Sequence, residues 1–410
     1  MYKWIIILLL TTTFSLQAKE SLDFLSTDSI TYQCYLKGDW DKLISTGKRA
    51  IADDIDFKRL RQRMGYAYFV KQDYFAAKVQ YEMALKLDET DADTRAFLYY
   101  CGMYIGDEDF ARFHAAKLSD EIRQSLNMKR FKLIDAVDLE YNKKTNNTDY
   151  RSNPIYARIG LKTRLGYRLS LYQSLSKYSQ GVVLNPDQGS TNSGDTNYQN
   201  DTTSQLEYYT NAKWSLDQHT VFTCGYHYVV TTVRSPNFYA NLYYAGINSR
   251  FNRVQLGMNA SMFKSGMGSN KQLGLTAGIT LPTKSDINLT GLVSLLNQND
   301  KSLTNLSKNR LVYHQSVSGK IANSLWGMAS ATFGNIKNYN DNEGLYLYNS
   351  LDATVFRTGL TFFWNLTDHI MLYTNYSLDK KERIDWSTGT TNYTSIYYQQ
   401  SFLGGIRWKL

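Results

Sequence analysis

Three of the five histidines, His219, His227 and His314, fall in a stretch of the chain where acid–base chemistry could be placed. By side-chain alternation His227 and His314 share the inward face of their strands, and Ser316 lies beside His314 on that face. A hydrolytic or acyl-transfer site needs a nucleophile, a base and an orienting group within hydrogen-bond reach. A serine two residues from a histidine on one strand arises readily by chance, and no Gly-x-Ser-x-Gly elbow flanks a candidate nucleophile. The histidines are read as hydrogen-bonding groups of a wall, and the chain as not an enzyme. A second set on the same inward face is basic: Arg158, Lys162, Arg164, Arg310, Arg357 and Arg407, joined by Arg168, Lys213, Lys320 and Lys409. Rings of positive charge favour anions in a pore, which would suit an anionic solute or an acidic glycan. The other reading is a lumen filled with salt bridges to acids such as Glu207.

Cys34, Cys101 and Cys224 show no metal-ligand spacing, and no metal or cofactor is expected. In an oxidising compartment Cys34 and Cys101 could pair; two buried thiols in separate helices is the alternative. The formal charge of +9 is spread along the chain rather than gathered in a block, which argues against nucleic acid as a partner.

The elements that would carry these residues differ between the two parts of the chain. Residues 38–43, 72–77 and 106–111 align when shifted by 34 positions, and they share Asp39, Asp73 and Asp107. A short acidic side chain there can cap the free N–H groups of a following helix. Leu43, Ala77 and Ala111 hold one buried position, and Ala50, Ala84 and Leu118 another. A 34-residue unit of two helices is the tetratricopeptide pattern, so residues 19–128 are predicted to form a helical-repeat solenoid, closed by a helix over residues 119–128. Such stacks present a groove to a peptide or protein partner. Tyr32, Tyr66 and Tyr100 recur at the same period, with Tyr35, Phe69 and Met103 nearby. They either line that groove or pack helix against helix.

From about residue 129 the period becomes two. Val254, Leu256, Met258, Ala260 and Met262 alternate with Gln255, Gly257, Asn259 and Ser261, and Leu206 to Trp214 and Leu273 to Leu281 behave alike. Alternation over about ten residues fits a tilted strand crossing a bilayer. Short connections take turns with long polar ones at 143–153, 176–203, 297–309, 335–351 and 379–395, as in outer-membrane barrels with long external loops. The composition agrees, with 33 Tyr, 18 Phe and 7 Trp against only 4 Pro. Residues 129–410 are predicted to form an antiparallel transmembrane β-barrel of about 14 strands, with 12 or 16 as alternatives. Phe402, Gly404, Ile406, Trp408 and Leu410 alternate up to the last residue, like the signal read by the bacterial barrel-assembly machinery. Residues 1–18, with Lys3 before an apolar run and Leu16-Gln17-Ala18 at the end, read as a secretory signal peptide.

A signal peptide, a few tetratricopeptide-like units and a C-terminal barrel together resemble outer-membrane proteins of the YaiO type. More distantly, the layout is similar to exporters of poly-N-acetylglucosamine and cellulose, which have many more repeats. The resemblance implies an outer-membrane protein of a Gram-negative cell with its helical domain in the periplasm. Its expected partners are membrane lipid, a periplasmic protein or peptide on the repeats, and the assembly machinery. The function expected is non-enzymatic: the repeats recruit a partner while the barrel anchors it or supplies an export path. A simple porin-like channel and a lipid-modifying barrel enzyme are the alternatives.

Overall fold

The computed structural model describes residues 22–126, 132–148, 152–184, 199–233, 237–266, 268–300, 309–350, 352–385 and 393–410. The predicted signal peptide and much of the long loops at 176–203, 297–309 and 379–395 lie outside these residues. Contacts divide the chain into two compact units, residues 1–101 and 102–410.

The first unit is helical: α1 (Phe24–Lys37), α2 (Trp40–Ala52), α3 (Lys58–Val70), α4 (Tyr74–Leu87) and most of α5 (Ala92–Tyr104). The next helices are α6 (Glu108–Ala115) and α7 (Asp120–Ser125). The starts of α1, α3 and α5 are spaced by 34 residues, as are those of α2, α4 and α6. The capping aspartates explain this. Asp39, Asp73 and Asp107 accept hydrogen bonds from the backbone N–H of Lys42, Ala76 and Phe110 at 3.1–3.2 Å. Each thereby satisfies a donor that the first helical turn leaves open. The six repeat positions Leu43, Ala77, Ala111, Ala50, Ala84 and Leu118 are all buried. Gly65 permits the close pairing of α3 and α4, because a Cβ there would stand 2.9 Å from the Tyr81 ring. Cys34 and Cys101 are buried, unbridged thiols, and burial pushes the Cys101 pKa up to about 12.

The second unit holds a closed antiparallel barrel of fourteen strands. They are β1 (Lys132–Asn146), β2 (Ile155–Arg164), β3 (Leu169–Leu184), β4 (Gln199–Ser215), β5 (Thr220–Val233), β6 (Asn237–Phe251) and β7 (Val254–Ser265). Then follow β8 (Gly268–Thr280), β9 (Asn288–Asp300), β10 (Asn309–Ala322) and β11 (Leu325–Phe333). After a two-stranded insertion, β12 (Asn340–Asp341) and β13 (Tyr346–Leu347), come β14 (Ala353–Asn365), β15 (Ile370–Asp385) and β16 (Tyr393–Lys409). Every barrel strand pairs with its neighbour along the chain, and β16 closes on β1 with Asp138 opposite Arg407. One end of the barrel, the terminal end, carries the start of β1, the end of β16 and six turns. The other, the loop end, carries the remaining connections.

The outer face is apolar: Leu256, Met258, Leu275, Leu311, Leu360 and Phe402 are each about half exposed. So wide an apolar surface is stable against lipid rather than water. Trp214, Trp364 and Trp408 stand exposed at the terminal ends of β4, β14 and β16, where an aromatic girdle belongs. Unpaired strand edges are not tolerated in a bilayer, and closure removes them. This is a transmembrane barrel of the outer-membrane kind.

Two expectations need correction. Strands β3 and β4 continue as a paired hairpin up to Leu184 and Gln199, so residues 176–184 and 199–203 of the predicted 176–203 loop are strand. Polar residues there still complete the backbone ladder, because a strand leaving the bilayer no longer needs apolar side chains. The 335–351 connection, predicted to be an external loop, folds into the lumen instead.

Candidate functional site

The inward segment leaves β11 at the loop end and returns to β14 after crossing much of the lumen. Its sequence alternates turn-formers with aromatics, Asn335 to Ser350, and each part finds a partner on the wall. Ile336 and Tyr339 pack with Leu296 and Val312 from β9 and β10 in a small buried cluster. The N–H of Asn340 donates to Gln272 Oε1 at 3.1 Å, its Nδ2 donates to Ser261 Oγ at 2.6 Å, and Gln272 Nε2 returns a bond to the Asn340 carbonyl at 3.0 Å. Arg310 Nη2 and Asn270 Nδ2 donate to the carbonyls of Lys337 and Asn338. Wall side chains thus satisfy backbone groups that this segment carries into the barrel.

At the tip, Asn342, Glu343 and Gly344 have φ of 49°, 60° and 87° in succession. Glycine takes this conformation freely and asparagine tolerates it, but a glutamate there costs about 1 kcal/mol. Wall contacts hold the tip in place. Lys213 Nζ lies 2.6 Å from Glu343 Oε1, and Asn211 Nδ2 donates to Oε2 at 2.9 Å. The Tyr209 hydroxyl donates to the Glu343 carbonyl at 3.0 Å, and His227 Nδ1 is 2.9 Å from the Gly344 carbonyl. Lys213 is two residues from the terminal end of β4, so the tip reaches far down the lumen. Nearby on β1 and β2 the Tyr346 hydroxyl donates to Glu140 Oε2 at 3.2 Å, and the Arg158 guanidinium lies over the Tyr346 ring.

Beside the segment runs a cavity of about 1550 Å³. Its lining extends from Thr231 and Ser269 near the loop end to Asp107, Glu108 and Phe110 of α6 and its cap at the terminal end. α6 is held there by charge: Glu108 Oε2 receives Lys162 Nζ at 3.1 Å, and Asp107 lies 3.8 Å from Arg250. The Lys162 ammonium, aided by Arg112, keeps the Glu108 carboxyl well below the usual carboxylate range despite its partial burial. Phe113 packs under the Arg168 guanidinium.

The six basic residues singled out by alternation each meet a partner. Arg158 Nη2 donates to Glu140 Oε2 at 2.6 Å, Arg164 binds Asp135 at 2.7 Å, and Arg407 Nε binds Asp138 at 2.6 Å. Arg357 lies 3.6 Å from Asp379, Lys162 binds Glu108, and Arg310 binds the Lys337 carbonyl. Among the described residues the cavity is lined by as many acidic as basic side chains, ten of each. The arrangement is the salt-bridged lumen rather than an unopposed positive ring.

His314 Nδ1 bonds Thr332 Oγ1 at 2.8 Å, and His227 is taken up by the Gly344 carbonyl. Among the described residues neither histidine pairs with a serine hydroxyl. Sequence reasoning missed Glu343, Tyr346 and Asn340, although three tyrosines within a polar, turn-rich connection were a visible sign of burial.

In the helical unit, Tyr66 packs between the rings of Tyr35, Trp40 and Phe97 at centroid distances of 5.3–5.8 Å. Phe69 meets Tyr74 and Phe97, and Tyr100 meets Tyr99. Tyr32 is 46% exposed under the Arg63 guanidinium, and Met103 is 45% exposed. Replacing Tyr66 with Ala removes the middle ring of this stack and is expected to destabilise the helical unit by about 2 kcal/mol. Thermal unfolding followed by the helical circular-dichroism signal checks this; an unchanged transition would show that the stack carries no stability.

No protein-family model and no curated protein sequence matches the chain. Solved structures with a similar outline are outer-membrane barrels at very low identity. The toluene transporter TodX of Pseudomonas putida is 7% identical with a TM-score of 0.47, over 70% of this chain and 91% of its own. A homologue of FadL from Pseudomonas aeruginosa is 8% identical with a TM-score of 0.41, over 74% and 94%. A bacterial polysaccharide outer-membrane secretin is 8% identical with a TM-score of 0.40, over 68% and 99%.

Proposed function

We propose that this chain is a non-enzymatic passage across a Gram-negative outer membrane, kept narrow by the segment folded into its lumen. The observation that carries the reading is the seating of residues 336–348 on the inner wall through matched polar bonds, with a charge-balanced cavity left beside them. In this reading the terminal end faces the periplasm and the loop end the exterior. The helical unit lies in the periplasm, and its 34-residue tetratricopeptide-like repeats recruit a protein or peptide that brings cargo to the barrel. The exposed Tyr32 is part of the surface offered to that partner.

Exchanging residues 338–347 for a short glycine-serine turn should make cells that express the chain sensitive to large antibiotics normally excluded by the outer membrane. Unchanged sensitivity, with the barrel correctly inserted and heat-modifiable on gels, would remove the passage from this account and leave an anchor.

A further inference from the structure

The tip of the inward segment is held in a way that suggests what displaces it. Glu343 presents a carboxylate to Lys213 Nζ and Asn211 Nδ2, while the buried Tyr209 hydroxyl donates to the carbonyl of the same residue. Three donors converge on one place, and two of them are already spent on a carboxylate. Lys213 and Glu343 remain partly exposed, and all four side chains line the cavity. The carboxylate is therefore reachable by a solute.

We propose that Lys213 and Asn211 form a carboxylate-binding site that Glu343 occupies as a built-in ligand, and that a carboxylate-bearing small molecule entering the cavity displaces it. Charge dictates the class of ligand. Once Glu343 leaves, an ammonium stays behind in a lumen otherwise balanced between acids and bases, so a neutral replacement would leave it unpaired. A carboxylate restores both the charge balance and the two hydrogen bonds, in charge-assisted form. Backbone conformation dictates the consequence. Asn342 and Glu343 sit in the left-handed region, and losing the side-chain anchor leaves their strained turn held only by its backbone carbonyls. The exchange thus favours withdrawal of the tip. The inference rests on the passage reading for its consequence but not for the binding site itself.

The test is calorimetric titration of the full-length protein in detergent with succinate, using succinamide as the uncharged control. Glu343→Ala empties the site and should bind succinate roughly tenfold more tightly than the wild type, whose own carboxylate competes. Succinamide should not bind, and adding Lys213→Met to Glu343→Ala should abolish succinate binding. Equal succinate binding by wild type and Glu343→Ala, no binding by either, or binding that survives Lys213→Met would each overturn the site. If succinate binds as expected but bilayer conductance never changes, the site stands and the passage reading fails.

Discussion

Replacing Arg158 with Met is expected to destabilise the barrel by about 3 kcal/mol, because it strands a buried carboxylate. Glu140 and Arg158 have side chains only 1% and 5% exposed, facing each other across β1 and β2. Glu140 Oε2 accepts from Arg158 Nη2, from the Tyr346 hydroxyl and from the Tyr373 hydroxyl. Two phenol donors do not replace a cation, so removing the guanidinium leaves a nearly buried charge without its counter-ion. Removing both partners, as Arg158→Met with Glu140→Leu, should recover most of the loss, since neither charge is then buried. The measurement is the urea concentration at which the folded, heat-modifiable band disappears. A single variant as resistant as the wild type would show that Glu140 is well hydrated and the lumen wetter than its packing suggests.

Shortening the inward segment should change conduction more than any point substitution. Barrels of eight strands are filled by their own side chains, whereas those of sixteen leave an aqueous channel. A fourteen-stranded wall without its insert belongs near the open group. The variant lacking residues 338–347 should conduct at least about tenfold more than the wild type in planar bilayers. It also loses Asp341 and Glu343 but no base, which frees Lys213 and tips the balance of the lumen. The opened pore should therefore prefer anions over cations. Wild-type conductance in the variant, or cation preference, would contradict the role given to the segment.

The alternation of residues such as Leu256 and Met258 made the strand count and the inward set of arginines legible, because a two-residue period is a local property. The partners of those arginines were not legible in the same way. Arg407 meets Asp138 only because the sheet closes on itself, and Arg310 meets the Lys337 carbonyl only because that connection turns inward. The inward segment failed for a different reason. Asn, Asp and Gly mark a turn, but they say nothing about which side of a wall the turn falls on. The decision lies in Ile336, Tyr339 and Tyr346, whose apolar surfaces find cover only inside the barrel. In the helical third, period and caps were plain. The ring of Tyr66, open in the sequence to either a groove or a packing role, is enclosed by three aromatic neighbours.

The seam between β1 and β16 joins residues 269 positions apart, as Asp138 and Arg407 show. Bringing such distant ends together costs about 3 kcal/mol more chain entropy than forming a hairpin of ten residues. That makes the seam the slow and late step of assembly, with two sticky edges waiting on a nearly finished curved sheet. Whatever occupies the interior must be in place by then, because the completed cylinder gives residues 336–348 no side entrance. The order of events during insertion thus decides whether residues 336–348 are enclosed, and a chaperone that delays the last strand would be acting on what fills the barrel as well as on folding.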